Sequence, residues 1–302
     1  MPRITRRTFL KTASASAAGM ALWNSAPRLL ADPLGLPLGL QLYSVRDLLP
    51  RDYDGTLRQL GAIGYREVEA AGFFDHNPSQ VKQAMDQAGL RCLSAHYPMD
   101  HLQPELDTII QFGKDLGLEY IICSSPTLKD SAHKAGASRA NREAMTLDDW
   151  RWNAEQFNHI GERVHAAGMR FGYHNHMTEF RTESGVLYYD ELLRLTDPTK
   201  VSMELDCGWM TLGGKSPADY LTRHPERFSM LHVKDFNLKG WTPGSQPPPS
   251  TELGHGSIDY RPIFEAAKKA HIKHAFVEQE EFDMPLMEAL KVDADYMHAL
   301  KV

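Results

Sequence analysis

The chain is short of the features that would staple, anchor or charge it. Its 302 residues include three cysteines, Cys92, Cys123 and Cys207, an odd count with no short spacing between any two. Neither a disulfide framework nor a thiolate zinc site is indicated, and buried free thiols are the expectation. No apolar run reaches the roughly 20 residues that a membrane-spanning helix needs. Basic charge is lacking too: 33 Lys and Arg stand against 39 Asp and Glu, a formal net charge of −6. No positive field exists to hold a polyanion, so nucleic acid is not an expected partner. A Gly-rich phosphate loop is missing after the first strand-like run, where Gln41-Leu42-Tyr43-Ser44-Val45-Arg46 stands instead, which weighs against an open doubly wound sheet. What remains is a globular composition, 42% hydrophobic and 24% charged, enough to bury a sizeable core.

The first residues read as an address. Thr5-Arg6-Arg7-Thr8-Phe9-Leu10-Lys11 precedes a small, weakly apolar stretch from Thr12 to Trp23 without an acid, then Pro27 and an Ala31-Asp32 junction. The pattern resembles a bacterial twin-arginine export signal. Residues 1–31 are therefore expected to be a cleaved leader, and the mature chain to be periplasmic and free of the membrane. Loss of Arg3, Arg6, Arg7, Lys11 and Arg28 moves the charge from −6 to −11. Twin-arginine export carries proteins already folded, which suits an enzyme that takes up its metal before it leaves the cytoplasm.

From Leu38 onward, short apolar runs of strand type alternate with stretches of helical period. The strands read as Leu38 to Tyr43, Arg66 to Ala70, Arg91 to His96, Tyr120 to Ser124, Met169 to His174, Val201 to Asp206, Phe228 to Val233 and His274 to Glu278. Gly61 and Gly64, Gly89, Gly117 and Gly168 stand where helices should end before the next strand. Eight such units predict one (β/α)₈ TIM barrel over residues 32–302, with no second domain. Two segments break the rhythm, Pro126 to Thr146 with Lys129, His133, Lys134, Arg139 and Arg142, and Asn237 to Gly256 with Pro247 to Pro249. Both follow strands on their carboxyl side, so each reads as a substrate wall or as a plain surface excursion.

Ionisable groups gather at the strand ends. In the eight-strand register Tyr43, Glu69, His96, His174, His176, Glu179, Asp206, His232, Lys234 and Glu278 converge at one mouth. A buried carboxylate without a partner costs several kcal/mol, so Glu69, Asp206 and Glu278 must share a cation, pair with Lys234 or Arg46, or face water. Oxygen donors with imidazole suit one divalent ion, Mn²⁺ first, with Mg²⁺, Zn²⁺, Fe²⁺ or Co²⁺ as alternatives.

Five motifs then carry a family resemblance: Gln41-Leu42-Tyr43-Ser44, Tyr173-His174-Asn175-His176-Met177-Thr178-Glu179-Phe180, Glu204-Leu205-Asp206-Cys207-Gly208-Trp209, Leu231-His232-Val233-Lys234-Asp235 and Phe276-Val277-Glu278. Together they look like the sugar phosphate isomerase/epimerase group of xylose isomerase-like barrels, which has inosose dehydratase and endonuclease IV as relatives. The resemblance implies one divalent cation held by Glu179, Asp206, His232 and Glu278. It departs from the group at the end of the fifth strand, where His174 stands in place of a Glu. Glu179 is then expected to reach back from the loop, with His174 or His176 as a neighbouring ligand or proton carrier. The three-metal site of the endonuclease relatives cannot be completed, because position 209 is Trp and His232 is followed by Lys234-Asp235-Phe236-Asn237.

A chelated cation lowers the pKa of a proton alpha to a carbonyl and stabilises the resulting enediolate, the step common to isomerisation, epimerisation and β-elimination. Glu278, with Glu179 or His174, would serve as acid and base, and Lys234 or His96 would offset charge developing on an oxygen. Tyr43, Glu69, His176 and Trp209 would contact the substrate. The leading expectation is an isomerase or epimerase of an unphosphorylated keto sugar or related polyol. A lyase, dehydratase or hydratase acting on 3-keto sugars, keto-glycosides or inososes is the alternative, and a periplasmic sugar-binding barrel using Tyr43, Phe73, Phe74, Tyr97, Trp209 and Trp241 a third. A small carbohydrate is the expected partner, and an oligomer stays open.

Overall fold

The computed structural model describes residues 31–131, 142–243 and 245–302. The leader with Arg6 and Arg7, and His133, Lys134 and Arg139 of the first insertion, lie outside the described residues. Eight strands form the barrel: β1 (Gly39–Gln41), β2 (Glu67–Ala70), β3 (Arg91–Pro98), β4 (Tyr120–Ser125), β5 (Arg170–His174), β6 (Val201–Asp206), β7 (Phe228–Val233) and β8 (His274–Val277). Every neighbouring pair is parallel, and β8 returns to β1 to close the ring. Around it lie α1 (Tyr53–Ile63), α2 (Pro78–Ala88), α3 (Met99–Leu116), α4 (Leu147–Ala166), α5 (Tyr188–Leu195), the short α6 (Cys207–Leu212) and α7 (Pro217–Arg223), α8 (Tyr260–Lys269) and α9 (Leu286–Ala299). The described residues thus make one closed eight-stranded barrel, as the alternation predicts. No helix among them is long and apolar enough to cross a membrane.

Local chemistry sets the helix ends. The Asn77 side chain accepts from Gln80 N–H while the Gln80 side chain accepts from Asn77 N–H, and Thr146 with Asp149 repeats the device at the start of α4, a reciprocal cap that satisfies two orphan donors. Gly89 and Gly117 end α2 and α3 in the left-handed region, φ 66° and 88°, where a Cβ would be strained. Gly61 corrects one expectation, since it lies inside α1 and not at its end. A Cβ there would come within 2.0 Å of the Ala88 carbonyl oxygen, so this glycine sets how closely α1 packs on the end of α2.

The core has two parts. A large apolar cluster fills the space between strands and helices, while Leu93, Tyr120, Ile122, Met230 and Phe276 form a separate buried plug. Side chains alternate along a strand, so the lumen positions of β7 and β8 that supply Met230 and Phe276 supply His232 and Glu278 two residues later. The plug is thereby a dry floor under a polar layer. The segment after β7 is built, not loose. Asp235–Phe236 pairs antiparallel with Ser250–Thr251, and the Asp235 carboxylate accepts from the N–H groups of Phe236, Gly254, Gly256, Ser257 and Ile258 at 2.8 to 3.2 Å.

Candidate active site

Two tiers of polar side chains stand above the plug. In the lower tier, Glu69 Oε1 accepts from Gln41 Nε2 at 2.7 Å and lies 2.7 Å from His96 Nε2 and 2.8 Å from His232 Nε2. Its Oε2 accepts from Ser94 Oγ at 2.5 Å. Glu204 Oε2 lies 2.7 Å from His96 Nε2, 3.1 Å from His174 Nδ1 and 3.2 Å from His232 Nε2. In the upper tier, Glu278 Oε2 is 3.0 Å from His232 Nδ1 and 2.8 Å from Lys234 Nζ, and Lys234 also reaches Glu280 at 2.6 Å. Asp206 uses Oδ1 to cap α6, accepting from Trp209 N–H at 2.7 Å.

Burial and mutual charge set the protonation states. Burial works against the imidazolium of His96, yet Glu69 and Glu204 carry its pKa up to about 9. His232 is likewise raised against burial by Glu204, Glu278 and Glu69. His174 goes the other way: burial, then the positive charge of His232, His176, His96 and Lys234, keeps it neutral. Burial would raise Glu69 and Glu278, but their cationic neighbours hold both well below the usual carboxylate range, His96 and His232 for the first, Lys234 and His232 for the second. Asp206 is pushed up to about 7 by burial, with Glu278 adding to the effect and Lys234 opposing it.

Glu204 Oε1 is buried without a hydrogen-bond partner among the described residues, and so is one oxygen of Asp206, Oδ2. Asp206 Oδ2 lies 3.7 Å from Lys234 Nζ and 3.9 Å from His232 Nδ1. Ligand atoms of His174, Asp206, His232 and Glu278 all lie within 4.8 Å of one another. Two carboxylates and two imidazoles around an orphaned oxygen fit a divalent cation of intermediate hardness. His174, and not Glu179, completes this set. Glu179 is fully buried in its own loop, where its carboxylate accepts from Tyr173 Oη at 2.5 Å, His176 N–H at 2.9 Å and Thr178 Oγ1 at 3.0 Å. The expected reach of Glu179 back to the cluster is absent here because these three local donors hold it.

A cavity of about 520 Å³ opens over the upper tier, lined among others by Tyr43, His96, His174, His176, Trp209, Lys234, Pro247, Glu278 and Glu280. Pro247 brings the segment after β7 to the cavity, and Glu143 brings the end of the first insertion. Tyr43 carries the Arg46 guanidinium over its ring at 4.4 Å, and Lys234 Nζ sits 5.0 Å from the Trp209 ring centre. Sequence reasoning missed Gln41 and Glu204 in the lower tier and Glu280 at the rim. Glu204 and Glu280 each stand two residues from a residue singled out, Asp206 and Glu278, so the strand period of two was the signal available.

The chain belongs to the xylose isomerase-like TIM barrel family, which residues 57–300 match. It is similar to inosose dehydratase from Lacticaseibacillus casei, 23% identical over 236 residues that cover 72% of this chain and 78% of that protein. Among solved structures it is similar to a sugar phosphate isomerase/epimerase from Parabacteroides distasonis ATCC 8503, with a TM-score of 0.67 and 26% identity over 86% of this chain and 97% of that one. The IOLI protein with a bound zinc atom shares the fold at a TM-score of 0.66 and 12% identity, covering 86% and 96% of the two chains.

Proposed function

We propose that this barrel is a divalent-metal-dependent isomerase or epimerase that removes the proton alpha to the carbonyl of a keto sugar or related polyol. The supporting observation is the meeting of His174, Asp206, His232 and Glu278 under the cavity with one Asp206 oxygen unpartnered. A cation bound there, Mn²⁺ first among the candidates, would polarise the carbonyl and offset the enediolate charge. The remaining work belongs to side chains. Glu278, kept ionised by Lys234 and His232, and His176 line the cavity as groups that take and return a proton. Lys234, held by Glu278 and Glu280, stands ready to offset charge on a substrate oxygen. Among the described residues lining the cavity it is the one Lys or Arg, and it is already paired, which favours an unphosphorylated substrate. We also propose that the chain acts in the periplasm after twin-arginine export.

A dehydratase or lyase is the second reading. It is favoured by two cationic acids at the cavity, His96 with its pKa near 9 and Lys234, since a departing hydroxyl must be protonated and an epimerisation has no such need. The curated relative named inosose dehydratase points the same way. Keto sugars and inososes incubated with the Mn²⁺-loaded protein in D₂O separate the two by mass spectrometry. Uptake of one deuterium without other mass change supports the isomerase or epimerase, and loss of water supports the dehydratase. Sugar affinity that survives chelation, with no exchange in any compound, would refute both in favour of a binding barrel.

A further inference from the structure

We propose that Glu204 is a positioning residue whose single carboxylate oxygen decides which ring nitrogen His174 offers to the metal. The inference rests on the reading that His174, Asp206, His232 and Glu278 hold a divalent cation. Glu204 pairs in register with His174 of β5 and stands two residues before Asp206 on β6, so both acids of the strand face the lumen. It is fully buried, and three imidazoles converge on Oε2: His96 through Nε2 at 2.7 Å, His174 through Nδ1 at 3.1 Å and His232 through Nε2 at 3.2 Å.

A carboxylate oxygen only accepts, and a neutral imidazole carries one N–H and one lone pair. The nitrogen that faces Glu204 must therefore be the N–H, and the other ring nitrogen must hold the lone pair. For His174 that nitrogen is Nε2. At His232 the nitrogen opposite Glu204 is Nδ1, but it faces the Glu278 carboxylate at 3.0 Å, so both His232 nitrogens face acceptors and Glu204 sets no tautomer there. The His232 ring is held between Glu69 at 2.8 Å and Glu278 at 3.0 Å, whereas the His174 ring is oriented through Glu204.

The lower tier invites a competing reading, because His96, His174, Glu204 and His232 also present ligand atoms within 4.8 Å of one another. Its imidazole nitrogens face carboxylate oxygens, while Glu204 Oε1 is buried without a partner among the described residues. His96 Nε2, Glu69 Oε1, His232 Nε2 and Glu204 Oε2 form a closed ring of alternating nitrogen and oxygen with successive separations of 2.7, 2.8, 3.2 and 2.7 Å, in which the hydrogen bonds pair His96 with Glu204 and His232 with Glu69. The upper tier joins the unpartnered Asp206 Oδ2 to a carboxylate that lines the cavity, Glu278, whereas Glu204 is not among the described residues lining it. The lower tier is therefore the support of a one-metal site, and losing such a support costs roughly 10 to 100-fold in metal affinity.

The test uses the mature chain, stripped with EDTA, as wild type, Glu204→Gln and Glu204→Leu. Zn²⁺ and Co²⁺ affinity is read by competition with a chromophoric chelator, stoichiometry by elemental analysis, site geometry by the visible Co²⁺ spectrum, and histidine tautomers by ¹⁵N chemical shifts of the metal-free protein. One ion per wild-type chain is expected. Gln keeps an acceptor oxygen and should weaken binding about 10-fold. Leu should weaken it about 100-fold, alter the Co²⁺ spectrum and release the His174 tautomer; if Leu prevents folding, the Gln variant carries the comparison. Unchanged affinity and histidine shifts in Glu204→Gln would overturn the inference, as would two ions per wild-type chain with one lost in the variant. A wild type that binds no ion would overturn the metal site itself, and this inference with it.

Discussion

His174 and Glu179 lie five positions apart, and their surroundings separate their roles. The Glu179 carboxylate is taken up by three donors of its own loop, while His174 is neutral and grouped with Asp206, His232 and Glu278. Glu179→Gln should therefore keep full metal content and lose about 1–2 kcal/mol of stability through its weakened charged hydrogen bonds. His174→Ala should lose most of the metal at matched stability. Elemental analysis and chemical denaturation of the two purified variants decide this, and the opposite pattern would hand the ligand role to Glu179. Which residue types crowd the mouth was readable from strand ends alone. Which of two nearby groups turns inward was not, because it depends on whether the Tyr173 hydroxyl and the His176 N–H claim the acid first. Glu204 stayed hidden for a related reason: a lone Glu inside the apolar run Val201 to Asp206 reads as strand, and its role appears only when three imidazoles from other strands meet it.

The strands and helices themselves were legible because each carries its own period and its own ending. All eight barrel strands fall within two or three residues of the runs picked out by alternation, and Gly64, Gly89, Gly117 and Gly168 sit at helix ends with positive φ. Gly61 was misread because a glycine that permits close helix packing looks, in a sequence, like one that ends a helix. Gly61→Ala should destabilise the barrel by about 1–3 kcal/mol, as overpacking does, since the nearest atom is backbone and cannot swing aside; a midpoint in urea equal to wild type would contradict this. Helix α9 holds a pH-sensitive element. Asp293 is buried there and accepts Leu253 N–H at 2.7 Å through one oxygen, the other having no partner among the described residues. Burial, with Glu252 and Asp235 adding to it, pushes its pKa up to about 7. The folded value thus lies above the unfolded value of about 3.9, so this contribution to stability is complete below about pH 4 and is lost as pH rises to about 7. Asp293→Asn imitates the protonated acid. It should leave the melting temperature nearly unchanged at pH 4.5 and raise it at pH 7.5, and a variant less stable than wild type at pH 7.5 would refute the assignment.

At the scale of the whole molecule, the proposed metal and the proposed export of folded cargo would both act on one closed barrel. If Arg6 and Arg7 are read as planar guanidinium forks, the double change Arg6→Lys and Arg7→Lys should hold the precursor in the cytoplasm, and unchanged periplasmic yield would refute the leader. A cation bound at the mouth would also stabilise the barrel. Asp206 and Glu278 face each other's charge in a fully buried tier, and without a cation Asp206 must either stay protonated near neutral pH or share Lys234 with Glu278 and Glu280. A ligand that binds only the folded chain stabilises it by about 2.7 kcal/mol at a hundred times its Kd. For a barrel of this size that is a rise in melting temperature on the order of 5 °C, absent in EDTA and restored by Mn²⁺ or Zn²⁺. Asp206→Asn removes both the free charge and the repulsion. It should therefore be more stable than wild type in EDTA at pH 8, where the buried acid would have to ionise, and should gain little from added metal. A wild-type melting temperature indifferent to EDTA at pH 8, with Asp206→Asn no different, would mean that the upper tier settles its charges through Lys234 alone.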